Sequence, residues 1–251
     1  MNRAYWETVA ADYDHAVLSV FDHDAAGAVQ ARIEAAADPA ARAADLGCGV
    51  GKFTPLLAQC FGHVEACDLS ARGVAETRER CRAFANVTVR RIDLSRTPLP
   101  FSPVDLVLCV NVLIMPALDA RRRAWRAVAN QVDHGGRLVL VVPSVESAHF
   151  DRFRELECGL DDGCSCAEAL DRAHRPGGSG RDLGQGVLRL RGLRTKHYLR
   201  EELEWLVSAH EFDVDEITKL EFAPPTASAP DAIIPGAHSP LWDWLVVARR
   251  R

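Results

Sequence analysis

The feature that most constrains this chain is a run of three glycines in five positions, Gly47-Cys48-Gly49-Val50-Gly51, placed between a small-to-apolar run and a helical pattern. Residues 43–46 read as a short buried strand, and Phe53, Leu56, Leu57 and Cys60 recur at helical spacing. A strand, a tight glycine turn and a helix together let backbone approach a ligand closely and aim helix N-terminal amides at it. Two nucleotide-binding motifs fail here at defining positions. The dinucleotide fingerprint needs glycine at 52, where the chain has Lys52; a P-loop needs glycine at 46 and Ser or Thr at 53, where it has Leu46 and Phe53.

The same unit repeats downstream. Strands are expected at 64–69, 87–92, 106–113 and 137–142, and helices at 71–84 and 119–132, with Asp119 as N-cap of the latter and Gly135-Gly136 as its stop. The continuous apolar run Leu138-Val139-Leu140-Val141-Val142 is the kind a parallel strand covered on both faces produces. Strands alternating with helices over 41–143 predict an α/β fold built on a doubly wound parallel sheet. Ahead of it, Trp6, Val9, Ala10, Tyr13, Val17 and Val20 or Phe21 predict an amphipathic helix over 3–21. Beyond Pro143, residues 144–195 show Gly, Ser, Arg and Asp clusters with weak periodicity and read as an insertion over the sheet edge. A helix is then expected at 200–210, a strand at 214–222, a Pro/Ala loop at 223–240 and a last strand in Trp242-Asp243-Trp244-Leu245-Val246-Val247-Ala248-Arg249. With no internal repeat and no long linker, residues 1–251 are expected to form one domain with 144–195 as a cap.

The segment Ala43-Ala44-Asp45-Leu46-Gly47-Cys48-Gly49-Val50-Gly51-Lys52-Phe53 resembles the first motif of the class I S-adenosylmethionine-dependent methyltransferases. The resemblance continues through Asp68 in Ala66-Cys67-Asp68-Leu69-Ser70, through Arg91-Ile92-Asp93-Leu94, and through Asp105 to Leu113. It extends to His134-Gly135-Gly136-Arg137-Leu138 and Tyr198-Leu199-Arg200-Glu201-Glu202-Leu203. It implies a mostly parallel seven-stranded Rossmann-like sheet whose last strand is antiparallel, S-adenosylmethionine as cofactor, and methyl transfer as the activity. It also implies roles. Gly47, Cys48 and Gly49 would make backbone contacts and Asp45 would organise the aminoacid end. Asp68, with Leu69 beside it, would take the ribose hydroxyls, and Asp93, with Leu94, the adenine. Asn111 and Val112 would face the methyl donor, and the leading segment with Tyr5, Trp6, Tyr13 and Asp14 would close over the cofactor. The chain departs from the family at Leu199, where a capping Ser or Thr is usual, and at Glu211, where Gly is usual.

A net charge of −5, from 30 basic and 35 acidic residues, gives no basic footprint for nucleic acid and favours a small-molecule acceptor. The start Met1-Asn2-Arg3-Ala4-Tyr5-Trp6 lacks a charged n-region with an apolar core, and no apolar stretch approaches the roughly 20 residues of a membrane span. A cytoplasmic location is therefore expected, with most of the eight cysteines reduced. Cys48, Cys60, Cys67, Cys81 and Cys109 read as core residues; Cys158, Cys164 and Cys166 lack the spacing of a zinc module, and no metal is expected. His149 and His197 are the candidate bases should the acceptor need deprotonation. A cofactor-binding protein without catalysis, and a nicotinamide-dependent oxidoreductase, are the competing functions. The sequence does not set the oligomeric state.

Overall fold

Apolar runs that can be satisfied only by cover on both faces build the centre of the protein. The computed structural model describes residues 5–7, 19–24, 26–96, 98–173, 180–190, 193–222 and 241–251. In chain order these form α1 (Val20–His23), α2 (Ala28–Glu34), β1 (Asp38–Leu46), α3 (Thr54–Cys60), β2 (Phe61–Asp68), α4 (Ala71–Arg80), β3 (Val87–Arg91) and β4 (Val104–Val110). There follow α5 (Leu118–Gln131), β5 (Val132–Pro143), α6 (Val145–Asp161), α7 (Cys166–Ala173), α8 (Gly180–Leu183), β6 (Val187–Leu190), β7 (Leu193–Lys196), α9 (Arg200–Ala209), β8 (Phe212–Glu221) and β9 (Trp242–Arg250). Seven strands join in the order β3-β2-β1-β4-β5-β9-β8, while β6 and β7 form a separate hairpin. Pairing is parallel from β3 to β5 and antiparallel on both sides of β9, so β9 is the one reversed strand, as the family resemblance implies.

Alternation along the strands sends side chains into two cores. Leu46, Cys67, Val107, Leu138 and Leu140 pack with Trp125, Tyr198 and Leu203 on one face. Ala43, Leu106, Leu108, Val139 and Val141 pack with Ile33 and Leu57 on the other. Leu108 and Leu140 are fully buried, and each such side chain contributes roughly 1.5–3 kcal/mol through burial.

Several local expectations are revised. Ser19 is extended (φ −72°, ψ 116°), so no continuous helix runs from 3 to 21; a new one begins at Val20. Ala117, not Asp119, occupies the N-cap of α5, and Asp119 sits in the first turn, where its charge still suits the helix dipole. That helix stops at Val132, which turns extended and pairs with Val104, so Gly135-Gly136 lie inside β5 and not at the helix end. The helix expected over 71–84 ends at Arg80. Residues 144–195 are more regular than their composition suggests. They open with a helix of 17 residues whose cap Ser144 accepts from the Ser147 amide at 3.0 Å. Gly159 masks the pattern there, because it is present for packing: a Cβ at 159 would lie 3.1 Å from that of Ala169 on α7.

The two family departures have structural answers. Leu199 cannot cap α9, and Glu146 of α6 does so instead, its Oε1 accepting from the Arg200 amide at 3.0 Å. Its other oxygen accepts from Ser144 Oγ at 3.0 Å and Trp244 Nε1 at 3.2 Å, tying α6, α9 and β9 together. At the far end of α9, Glu211 adopts φ 67°, the left-handed region glycine favours. Glu211→Gly is expected to be stabilising by ~0.5–1 kcal/mol in urea unfolding, since strain relief outweighs one exposed ion pair to Arg250.

Candidate active site

Parallel register brings three strand ends to one edge. Asp45 of β1 lies opposite Ala66 of β2 and Leu108 of β4, so the turn after Leu46 leaves the sheet between two neighbouring carboxyl ends. This is the switch point of a doubly wound sheet, where ligands settle. Gly47 has φ 84°, and a Cβ there would meet Val112 Cγ2 at 2.1 Å, so the turn passes directly under the end of β4. Gly49 is also left-handed, at φ 55°.

The turn's amides are engaged within the protein. Gly47 and Cys48 both donate to the Cys67 carbonyl, at 2.7 and 2.9 Å, and Gly49 donates to Asp68 Oδ2 at 2.9 Å. Close approach, and not a set of free N–H groups, is therefore what Gly47, Cys48 and Gly49 offer. The Cys48 thiol lies 3.5 Å from Thr77 Oγ1, and burial pushes its pKa well up.

Two carboxylates flank this turn. Asp45 is 4% exposed and accepts from Thr54 Oγ1 at 2.7 Å. Burial pushes its pKa up to about 7, against the lowering effect of the Thr54 hydroxyl, and nearby Asp68 raises it further. Asp68, at the end of β2, accepts from the Ser70 amide at 2.7 Å as well as from Gly49. Burial raises its pKa, and these two amides oppose the rise. Leu69 is half-buried beside it. Asp93 follows β3 and turns on itself, its Oδ1 accepting from Ser95 N at 2.9 Å and Ser95 Oγ at 2.6 Å, while its other oxygen faces Arg96. Leu94 is buried in the core. Asn111 follows β4 with φ 54°, beside Val112.

Residues 5–7 reach this corner through Glu7. Its carboxylate accepts from the Ala71 amide at 2.8 Å, the Arg72 amide at 3.2 Å and Ser70 Oγ at 2.9 Å, at the start of α4. Tyr13 lies outside the described residues. A small cleft on the other side of the turn is lined by Ser19, Val20, Phe21, Asp45, Gly47, Lys52, Phe53 and Val110, among others, with Lys52 paired to Asp22. Thr54, Lys52 and Glu7 carry no motif signal. Thr54 alone could have been noticed, as a hydroxyl at the helix start after the glycine turn.

The candidate histidines are elsewhere. His149 is exposed on α6. His197 is buried at the hairpin base, its Nδ1 3.2 Å from the Thr195 carbonyl, and burial pushes its pKa down to about 4. Cys67, Cys81 and Cys109 are buried, Cys48 and Cys60 partly so, and all eight thiols are free. Among the described residues no group of three His, Cys, Asp or Glu could hold a metal ion, and Cys164 instead faces Arg172 at 3.3 Å.

Residues 43–136, which contain the glycine turn and the acids, match the family model of a methyltransferase domain. Over that segment the chain is similar to methyltransferase domains, in keeping with the resemblance of its motifs. The cofactor that the motif resemblance implies is S-adenosylmethionine. Solved structures share the fold at low identity. A methyltransferase from Methanosarcina mazei is 16% identical, with TM-score 0.60, over 87% of this chain and 96% of its own. Magnesium protoporphyrin IX methyltransferase from Synechocystis is 16% identical, with TM-score 0.61, over 99% and 95%. The 1,6-didemethyltoxoflavin N1-methyltransferase of Burkholderia thailandensis is 15% identical, with TM-score 0.63, over 99% and 86%. No curated protein sequence matches.

The residues present fit the cofactor. Asp45 is a desolvated carboxylate that a cationic aminoacid group would relieve, and Asp68 keeps lone pairs for a neutral diol after accepting one amide on each oxygen. The Gly47 approach leaves no room for a side chain. The cost of Asp45 is measurable without ligand. Below about pH 4 it is protonated in both folded and unfolded chains. As pH rises towards about 7 the unfolded chain ionises first, so this group subtracts stability progressively and fully above that point. Asp45→Asn is therefore expected to exceed wild type in urea-unfolding stability by roughly 2–4 kcal/mol at pH 8 and to match it at pH 4.

Proposed function

We propose that this protein transfers a methyl group to a small-molecule acceptor by direct in-line displacement. The observation that carries the reading is the placement of Asp45 and Asp68 on either side of the glycine turn, at the ends of adjacent parallel strands. In this reading Asp45 holds the aminoacid end of the cofactor, Asp68 and Leu69 the ribose, Asp93 and Leu94 the adenine, and Gly47, Cys48 and Gly49 the path beneath. Asn111 and Val112 border the methyl end, and Glu7 fixes the leading segment at the ribose corner. Tyr13 is proposed as part of the same cover.

S-adenosylmethionine, when bound, supplies a methyl carbon that is already strongly electrophilic. The chain's own work is to hold the acceptor's lone pair in line with that carbon and to keep water out; no covalent enzyme intermediate is needed. The net charge of −5 and the absence of a basic footprint support a small acceptor. So does the fold neighbour from Burkholderia thailandensis, which acts on 1,6-didemethyltoxoflavin. We take residues 1–251 as one methyltransferase domain, with 144–195 as the acceptor-binding cap. A cytoplasmic enzyme without nucleic-acid or membrane partners follows from the same composition, and no described helix is long and apolar enough to cross a membrane.

Calorimetry tests the reading. S-adenosylmethionine and S-adenosylhomocysteine are expected to bind, and Asp68→Ala to weaken both at least about tenfold, ~1.4 kcal/mol. Binding of NADH alone would overturn it. Binding of the first two with no product from any acceptor would favour a non-catalytic binder. Because a cationic ligand end requires ionised Asp45, affinity is expected to fall up to about tenfold per pH unit below about 7, a slope that Asp45→Asn abolishes.

A further inference from the structure

Asp243 is not among the residues to which the motif resemblance gives a role, yet the sheet delivers it to the same edge. Because β9 runs antiparallel, its second residue lies at the carboxyl ends of the parallel strands, opposite Pro143 of β5 and Leu220 of β8. Trp242, Trp244 and Val246 enter one core and Leu245 the other. Alternation therefore places Asp243 on the face of Leu245, the face that also carries Val110 and Val20 at the cleft beside Gly47.

Asp243 is 8% exposed, and its Oδ2 accepts from Asn111 Nδ2 at 3.0 Å. Burial pushes this carboxyl up to about 6, with the Asn111 bond opposing the rise. Asn111 is held in the left-handed region at φ 54° while its backbone amide donates to the Val141 carbonyl at 2.9 Å. Its Oδ1 is buried with no hydrogen-bond partner among the described residues. A plain tie between β4 and β9 would be satisfied by one donor and one acceptor. Here a desolvated carboxylate receives one donor and the amide oxygen beside it receives none, so the missing partner is a hydrogen-bond donor.

We propose that Asn111 and Asp243 form the acceptor-recognition pair, and that the methylated group is a neutral N–H or O–H whose hydrogens they receive. The inference rests on the methyltransferase reading and narrows its acceptor class. In the transfer, the acceptor's nitrogen or oxygen lone pair forms the new bond to the methyl carbon. The carbon–sulfur bond breaks with its electron pair going to sulfur, and the acceptor's proton passes to Asp243 and then to water. A carboxylate acceptor has no proton to give and meets two acceptor oxygens, so methyl-ester formation is disfavoured.

The test uses the full chain saturated with S-adenosylhomocysteine and titrated, with NMR detection, with aniline, phenol and benzoate, which share one ring and differ in the polar group. Aniline or phenol is expected to bind at least about tenfold more tightly than benzoate, with shifts at the Asn111 side-chain amide. Asp243→Asn keeps an acceptor for Asn111 Nδ2; it is expected to erase that preference while leaving S-adenosylhomocysteine affinity within experimental error and the thermal midpoint at or above that of the wild type. Three results each overturn the inference: benzoate binding as tightly as the other two, a preference that survives Asp243→Asn, or no binding of aniline and phenol at millimolar concentration. Failure of the wild-type protein to bind S-adenosylhomocysteine would instead overturn the methyltransferase reading beneath it.

Discussion

Parallel pairing of β1 with β2 on one side and β4 on the other is the constraint on which the rest of the structure depends. It makes β1 a central strand buried on both faces, which forces the chain to leave the sheet at one edge through a turn narrow enough to pass beneath Val112. Only glycine fits at position 47, and once the turn is set, the ends of β1, β2 and β4 converge within a few residues of one another. Asp45, Asp68 and Asn111 are neighbours because their strands are, although they are far apart in the chain.

That convergence has an electrostatic cost. Asp45 and Asp243 are carboxyls taken out of water with one neutral hydrogen-bond partner each, Thr54 and Asn111. A structure selected for stability alone would place amides there, because desolvating a carboxylate without a cation or several donors is unfavourable. The edge of the sheet therefore holds unrelieved acceptor capacity of two kinds. Beside the glycine turn it suits a cationic group; beyond β4 it suits a hydrogen-bond donor. The two lie on the same face of the sheet, which is the arrangement that bringing a methyl donor and an acceptor together requires.

The segment from Ser144 to Tyr198 is fastened to this frame by polar contacts. Glu146 joins α6 to α9 and β9, and the Tyr198 hydroxyl donates to the Leu113 carbonyl at 2.6 Å while accepting from Trp125 at 3.2 Å. The chain immediately after β4 is thus held from the side of the insertion. Glu146 also shows how a helix lacking a side-chain cap in its own sequence borrows one from elsewhere in the fold.

The sequence by itself determined the alternation of strands and helices, the glycine turn and the acids that end the first three strands. These are local properties: periodicity, small residues at a close approach and turn acids are written in consecutive positions. It also determined that the last strand is apolar enough for the sheet centre. Tertiary structure alone decided what depends on distant partners. Val132 is extended because Val104 waits beside it, so the helix before it ends earlier than its glycines suggest. Gly159, a weak helix former within the 144–195 segment, is the contact point for α7. Asp243 reads in sequence as one polar residue in an apolar strand, and nothing in its neighbours marks it. Its place beside Asn111, 132 residues away, exists only because β9 runs against the other strands and brings its first residues to their carboxyl ends.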